Sequence, residues 1–248
     1  MPRELTGWLN EVVRAAQKRK PIIKQRERAF YDLKESILKK KKDGLNPIIA
    51  EFKKRSPSGF MQDRDPVNYA KFMESAGVAG MSILTEPVYF SGSYEIFEAI
   101  AKTVKLPLLF KDFVVTEDQV HTAYSIGADA VLLIVRILKE KEFCNLFETI
   151  KSYGMTPLVE VEDENDLKTA NSCGADTIGI NARDLSSLTV SVEKIIQLIK
   201  ITPKKSLKIA ESGINERHQI IKLKENGADA FLIGTALMKD PCKIQFFI

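Results

Sequence analysis

The stretch Gly127-Ala-Asp-Ala-Val-Leu-Leu-Ile-Val135 joins a glycine, at the end of a helix-like segment, to a short apolar run. The pattern recurs at 174–181 and 227–234, and a degenerate copy, GVAGMSIL, occupies 77–84. Glycine commonly ends a helix in a left-handed conformation. A short Val/Ile/Leu run after it is typical of a buried parallel strand. The repeat therefore predicts four helix-to-strand junctions, each marked by the first glycine of its copy.

Four further apolar runs alternate with these copies, and each carries a charge near its end: PIIAEFK (47–53), PLLFKDF (107–113), TPLVEV (156–161) and LKIAESG (207–213). Helical segments separate the runs, which is typical of a parallel sheet covered by helices. Eight such units favour an α/β fold closed into a (β/α)8 TIM barrel over an open sheet. No Gly-x-Gly-x-x-Gly turn of a dinucleotide-binding sheet follows the first run. The predicted strands are roughly 47–53, 79–86, 107–113, 130–135, 156–161, 177–183, 207–213 and 230–236.

Residues 1–248 are expected to form a single barrel domain, with residues 1–46 as an N-terminal helical extension packed on the barrel. A chain of 248 residues, 44% of them hydrophobic, suits one such barrel. Apolar residues recur at helical spacing at 5–16 and again at 30–37, which predicts two helices in the extension. Trp8 in the first helix is interpreted as a packing residue rather than a ligand platform.

Composition excludes several classes of protein. The net charge of +4 is small and scattered, which does not indicate a nucleic-acid binder, and the basic runs at 18–20 and 39–42 are interpreted as solvated helix ends. Two histidines and three cysteines, without metal-ligand spacing, argue against a Ser–His–Asp triad or a zinc site. The cysteines cannot all pair, which suits a reducing cytosol. No signal-peptide core or transmembrane run is present, so we expect a cytoplasmic protein without nucleic-acid or membrane partners. We expect a monomer, although no sequence feature distinguishes it from a dimer.

Side-chain parity predicts that the charges at the strand ends point into the barrel. Alternate residues of a strand face the same side, so Glu51 shares the face of Ile49, and Lys111 shares that of Leu109. These charges lie at the carboxyl ends of strands, where barrel active sites lie, whereas the Gly-Ala-Asp aspartates precede strands and are interpreted as structural. An ion-pair network that only fills the barrel is the alternative. The inward polar residues are Glu51, Lys53, Lys111, Glu160, Asn181, Arg183 and Glu211.

Small residues after the last two strands predict a phosphate site. Ser212-Gly213 follows the seventh strand and Gly234-Thr235 the eighth. Such residues let backbone N–H groups approach a phosphate closely at this face of a barrel. The loop 53–59 adds cations and hydroxyls. A phosphorylated substrate is therefore expected.

Lys111 and Glu160 are the candidate acid–base pair. A lysine among other cations in a closed site is expected to have a lowered pKa, and a glutamate in a partly apolar site can accept a proton. This predicts proton transfer on a small carbonyl compound. Alternatives are a Schiff base on Lys111, a sugar-phosphate isomerase, and a non-catalytic phosphate-binding barrel. Phe90 and Phe113 lie near strand ends, where two roles are open to them. They either stack on an aromatic substrate or belong to the hydrophobic core.

At these residues the chain resembles the indole-3-glycerol phosphate synthase family, from the N-terminal helices to the end. The most specific block is IAEFKKRSPS (49–58), with Glu, Lys, Ser and Pro at this spacing. The other matching blocks are SILTE (82–86), YFSGS (89–93), LFKDF (109–113), PLVEV (157–161), GINARDL (179–185) and AESGI (210–214).

The resemblance implies a carbon–carbon lyase of tryptophan biosynthesis that needs no cofactor and no metal. Its substrate would be 1-(2-carboxyphenylamino)-1-deoxyribulose 5-phosphate, which loses carbon dioxide and water to give indole-3-glycerol phosphate. Lys111 would be the general acid, and Glu160 the base or proton-handling carboxylate of the dehydration. Glu51 and Asn181 would orient groups and protons. Glu211 would complete the polar floor.

The resemblance also implies a substrate-binding set. Lys53 would contribute positive charge or act as a second acid, and Arg183 would meet the anthranilate carboxylate. The chain departs from many relatives at Thr235, where they have serine or glutamate, and at Gly59, where they have lysine. The implied binding residues are Ser56, Phe90, Phe113, Leu132, Arg183, Ser212, Gly213, Ile233, Gly234 and Thr235.

Overall fold

A computed structural model describes residue 5, residues 7–185 and residues 187–248. Eight parallel strands pair in chain order, and the eighth pairs with the first, so the sheet closes. This confirms the predicted (β/α)8 barrel. The strands are β1 Ile48–Phe52, β2 Gly80–Leu84, β3 Leu108–Lys111, β4 Ala130–Ile134, β5 Thr156–Val161, β6 Thr177–Asn181, β7 Leu207–Glu211 and β8 Ala230–Ile233.

Helices cover the outside of the barrel and extend it at both termini. No helix in the described ranges is long and apolar enough to cross a membrane. The helices are α1 Gly7–Ala16, α2 Leu33–Lys42, α3 Pro66–Ser75, α4 Tyr94–Ala101, α5 Glu117–Ser125, α6 Glu140–Ser152, α7 Glu164–Ser172, α8 Val192–Ile201, α9 Arg217–Glu225, α10 Thr235–Lys239 and α11 Ile244–Phe247, with short 3-10 helices at Val135–Ile137 and Pro241–Lys243.

The repeat glycines end helices as the sequence predicted. Gly127 has a φ of 97° after α5, and the first glycines of the other three copies also have positive φ. In this region of backbone space a side chain is strained, which is why glycine stands there. Each glycine is followed within a few residues by a buried strand.

Seven of the eight strands end earlier than predicted at their carboxyl ends, whereas β5 ends at Val161 as predicted. Pairing stops at Phe52 in β1 and at Lys111 in β3, so Lys53 and Phe113 lie in the loops that follow. The inward stripe of side chains continues for about two residues beyond the last paired residue, which the sequence pattern could not distinguish from strand. Candidate site residues are therefore divided between strand ends and loops.

The N-terminal extension contains two helices, but the second begins later than the apolar spacing indicates. Asp32 accepts a hydrogen bond from Glu35 N at 3.0 Å and starts α2 at Leu33. Phe30 therefore lies before the helix and is 46% exposed, so its assignment to the helix was wrong. The residues that α1 buries are Leu9, Val12, Val13 and Ala16.

Aspartates of the Gly-Ala-Asp repeat hold the extension against the amino-terminal ends of the strands. Asp129 accepts from Arg26 Nη2 at 2.7 Å and from Arg28, and these charges are nearly buried. Pairs this buried cost several kcal/mol when one partner is removed, unlike exposed pairs. The other two aspartates pair with α2, Asp176 with Lys34 and Asp229 with Lys41.

Two sequence expectations about charged and sulfur-bearing residues need correction. The basic run at 18–20 is not simply solvated, because Arg19 donates to both carboxylate oxygens of the buried Asp112. Cys144 of α6 and Cys173, the residue directly after α7, form a disulfide, whereas Cys242 is free and exposed. One cysteine thus stays unpaired, as an odd number requires, but the pairing of the other two was not expected.

Candidate active site

Charged and amide side chains converge at the carboxyl ends of the strands. The parallel order of the barrel brings these ends to one face. Five different strands, or the residues just after them, contribute. We call the group the carboxyl-end cluster; its members are Glu51, Lys53, Lys111, Glu160, Asn181 and Glu211.

Lys111 lies between two carboxylates from different strands. Its Nζ is 2.9 Å from Glu211 Oε2 and 3.2 Å from Glu51 Oε2. Glu51 Oε1 in turn accepts from Lys53 Nζ at 2.6 Å. These contacts connect β1, β3 and β7 through one row of alternating charges.

Asn181 connects the second carboxylate of the candidate pair to the loop after β6. Its Nδ2 donates to Glu160 Oε1 at 3.1 Å, and its Oδ1 accepts from Arg183 N at 2.9 Å. Arg183 Nη1 donates to Leu188 O at 2.9 Å. The amide therefore orients Glu160 and fixes the start of the loop at the same time.

The pKa of Lys111 is raised, which overturns the expectation that neighbouring cations lower it. Burial disfavours the ammonium, but the carboxylates of Glu211 and Glu51 outweigh it, with Glu160 adding a smaller effect. The Glu51 carboxyl shows the reciprocal effect. Burial raises its pKa, yet the ammonium groups of Lys53 and Lys111 outweigh burial and lower the pKa to about 2. Lys111 is therefore an ammonium and Glu51 a carboxylate at neutral pH.

Glu160 has the opposite protonation state from Glu51. Burial raises its pKa to about 8, and repulsion from Glu211 adds to the rise, whereas Lys111 and the Asn181 amide oppose it. Glu160 is 2% exposed and has no ammonium within salt-bridge distance in the described part of the chain. At neutral pH this carboxyl therefore carries a proton, although the sequence suggested a proton acceptor.

A cavity of about 90 Å³ beside the cluster, which we call the aromatic cavity, is lined by aromatic and aliphatic side chains together with charged and polar ones. Phe113 contacts two other aromatic residues of the lining, with ring centroids 6.2 Å from Phe90 and 5.8 Å from Trp8. Such a wall suits an aromatic ring, which prefers edge and offset contacts. Other residues predicted for the site also line this cavity. They are all members of the carboxyl-end cluster except Glu211, and Ser56, Leu132, Arg183 and Ser212.

A second cavity of about 870 Å³, which we call the glycine cavity, adjoins the first along Glu51, Lys53 and Arg183. Gly213 has a φ of 73°, and a Cβ there would lie 2.7 Å from Val190 Cγ1, so only glycine fits. The predicted residues lining this cavity include Ser212, Gly213, Ile233, Gly234 and Thr235.

Several lining residues were not assigned from the sequence. Trp8 packs against Phe113 as expected, but it also lines the aromatic cavity and donates from Nε1 to Leu185 O at 3.1 Å. Trp8 is the only tryptophan of the sequence, and this rarity could have marked it as a candidate lining residue. Leu185 belongs to the GINARDL block without having received a role. Lys222 of the glycine cavity follows no motif, and only the fold brings it there.

The fold and the arrangement of charge first define a class: an acid–base enzyme on a (β/α)8 barrel. The family profile described as "Indole-3-glycerol phosphate synthase" matches residues 3–246. A relative of that name from Sulfurisphaera tokodaii is 52% identical over 248 residues, covering 100% of both chains. One from Campylobacter fetus is 43% identical over 202 residues, covering 81% of this chain and 78% of the relative. The chain belongs to the indole-3-glycerol phosphate synthase family.

Membership of this family makes the chain a carboxy-lyase of tryptophan biosynthesis. It converts 1-(2-carboxyphenylamino)-1-deoxyribulose 5-phosphate to indole-3-glycerol phosphate, with loss of carbon dioxide and water. Among solved structures, an N-acetylmannosamine-6-phosphate 2-epimerase from Clostridium perfringens gives a TM-score of 0.61 at 15% identity, covering 80% of this chain and 90% of that chain. At this identity the likeness concerns the barrel fold alone.

Proposed function

We propose that the carboxyl-end cluster performs the ring closure, with Lys111 as its general acid. The observation that carries this proposal is the position of Lys111 Nζ, 2.9 Å from Glu211 and 3.2 Å from Glu51. The two carboxylates keep the amine protonated, ready to donate to the substrate carbonyl oxygen as the aromatic carbon attacks. Closure takes up one proton, because carbon dioxide leaves from a carboxylate and the carbonyl oxygen becomes a hydroxyl.

The same position argues against a Schiff base on Lys111. Nucleophilic attack by lysine needs a neutral amine, which enzymes obtain by lowering the pKa. Here the pKa is raised, because two carboxylates outweigh burial. An acid role therefore fits the site better than a lyase role through a covalent imine.

Glu160 is proposed as the proton-handling carboxyl of the dehydration. With a pKa of about 8 it begins this step protonated, and it donates to the departing hydroxyl, which leaves as water. A proton then leaves the ring carbon next to the nitrogen, so dehydration consumes one proton and releases one. Asn181, at 3.1 Å, holds Glu160 in place. Glu51 stays ionised and orients Lys53 and Lys111.

The substrate is proposed to lie across both cavities. Its aromatic ring would occupy the aromatic cavity against Phe90, Phe113 and Leu132, with Arg183 close to the anthranilate carboxylate. Its phosphate would lie in the glycine cavity, where small residues leave backbone N–H groups accessible. Lys53 borders both cavities and adds positive charge between them. The proposed phosphate residues are Ser212, Gly213, Ile233, Gly234 and Thr235 of the glycine cavity, with Ser56 reaching from the adjoining aromatic cavity.

We further propose that the chain acts as a single domain and as a monomer. In support of the single domain, the core residues of α1 and α2 are continuous with those of the barrel. Analytical ultracentrifugation at the concentration used in the activity assay would test whether the protein is a monomer. A cytoplasmic location and the lack of nucleic-acid or membrane partners stay predictions from the sequence, which cell fractionation and binding assays would check.

Incubation of the pure, folded protein with the carboxyphenylamino sugar phosphate is the direct test, with indole fluorescence as the readout. We expect Lys111→Met to lower kcat by about 100- to 10,000-fold, the usual contribution of a general acid. The exposed Lys151→Met, on α6, is the matched control and should turn over normally. Near-native activity of Lys111→Met, or an adduct trapped on Lys111 by borohydride, would contradict the acid role. No fluorescence from folded native protein would contradict the function itself.

A further inference from the structure

Gly179 lies in the interior of β6, paired with Glu160 on β5 and Ile209 on β7. Glycine weakens a strand interior, since it has no side chain to pack and more conformational freedom to lose. Its φ is not positive, so the backbone conformation at this position does not require glycine. Glycine at this position is explained instead by the atoms that a Cβ would meet.

The carboxylate of Glu211 occupies that space. A Cβ on residue 179 would lie 2.2 Å from Glu211 Oε1 and 3.2 Å from its Cδ, against an ordinary contact of 3.4–4 Å. Glu211 is 1% exposed, and its Oε1 has no hydrogen-bond partner within the described ranges. Its other oxygen, Oε2, accepts from Lys111 at 2.9 Å. Among the described residues no donor contacts Oε1, and this oxygen occupies the open space over Gly179.

We propose that Gly179 is a positioning residue for Lys111, because the missing side chain at this position lets Glu211 reach the ammonium in the observed geometry. The inference rests on the proposed function, in which Lys111 is the acid. The other carboxylate on Lys111 has a similar neighbour: a Cβ on Gly234 would lie 2.3 Å from Glu51 Oε1. Lys111 is thus held between two carboxylates that each lie against a glycine.

A methyl group at residue 179 should displace Glu211 without preventing folding. It would meet the far end of a flexible side chain and no backbone atom at short range, and its contact with Leu158 Cδ1, at 3.5 Å, is ordinary. The carboxylate must move by about 1 Å to restore normal contact. Misplacement of this size in a catalytic arrangement costs on the order of 100-fold in rate.

We therefore expect Gly179→Ala to lower kcat on the order of 100-fold, with a smaller change in KM. The pH profile of kcat should also shift, because Glu211 attracts the charge on Lys111 and repels that on Glu160. The matched control is Gly80→Ala in β2, where a Cβ meets Leu33 Cδ1 and Pro107 O at 3.0 Å at the other end of the barrel. It should lower stability and leave the pH profile unchanged.

A double-mutant cycle with Glu211→Asp separates positioning from packing. Aspartate is one methylene shorter and leaves room for the methyl group, so Gly179→Ala should cost at least about tenfold less in this background. Equal losses in both backgrounds would overturn the inference, as would a Gly179→Ala variant with native kcat and pH profile. If Gly179→Ala does not fold, recovery of folding with Glu211→Asp supports the inference, and continued failure overturns it.

The same four proteins, compared by denaturant unfolding, test the contact independently of activity. Coupling between positions 179 and 211 in stability supports the placement of Glu211 over Gly179, and additive effects contradict it. If the native protein forms no indole product, the proposed function fails, while this stability cycle still decides whether residue 179 determines where Glu211 lies.

Discussion

Replacing Glu160 by glutamine should remove a pH dependence of stability that the native protein shows between about pH 5 and 8. In the folded protein burial and Glu211 raise the pKa of Glu160 from 4.5 to about 8. The unfolded chain therefore loses this proton near pH 4.5, while the folded chain keeps it to about pH 8. Because the folded state binds more protons in this window, the free energy of unfolding falls as the pH rises, and the loss is complete above pH 8.

The magnitude follows from the width of the window. One unit of pKa corresponds to about 1.4 kcal/mol, so the Glu160 contribution falls by roughly 3 kcal/mol between pH 5.5 and 8. Glu51, with a pKa of about 2, has the opposite sign and a window between about pH 2 and 4.5, so it stays ionised throughout. Burial also raises the pKa of Glu162, although Arg136 opposes this. Its effect is present in both proteins and cancels in their difference.

Urea unfolding of native protein and Glu160→Gln at half-unit steps from pH 5.5 to 8.5 measures this difference. We expect the free energy of unfolding of the variant, relative to that of the native protein, to rise by about 1.4 kcal/mol per pH unit. This difference should become constant near pH 8. Glu164→Gln, at a glutamate that is 66% exposed beside Lys168, is the matched control and should give a curve parallel to the native one. Parallel curves for Glu160→Gln would refute the claim that this carboxyl is protonated at neutral pH.

Two further predictions concern stability. Cys173→Ser should lower the free energy of unfolding by about 3–4 kcal/mol in the loop-entropy relation, because the disulfide to Cys144 closes a loop of 29 residues. Denaturant unfolding with and without reductant measures this loss. Equal stability of the native protein and the variant would contradict the disulfide. Arg19→Ala should cost about 3–5 kcal/mol, since it leaves the buried Asp112 without its cation. Lys20→Ala, at an exposed lysine, is the control in thermal unfolding. An equal loss of stability in both variants would contradict the stabilising role of the Arg19–Asp112 ion pair.

Particular residues show how far the sequence could be interpreted. Parity predicted that Glu51 and Glu211 point inward, because strand side chains alternate strictly and each follows an apolar partner on its own face. The partner of Arg19 could not be predicted, since Asp112 lies 93 residues away and the surrounding basic run looks like surface charge. Trp8 likewise meets Leu185 across 177 residues. Contacts of this range depend on how the extension lies against the closed barrel.

The sequence by itself determined the eight strand–helix units, the glycine stops and the inward stripe of charges. These are properties of neighbouring residues, and periodicity and backbone conformation express them locally. Only the tertiary structure decided the protonation of the site. Lys111 is an ammonium because Glu51 and Glu211 reach it from β1 and β7, and Glu160 is protonated because burial and Glu211 outweigh its attraction to Lys111. Proton affinity depends on burial and on the distances between charges, and only the closed barrel sets both.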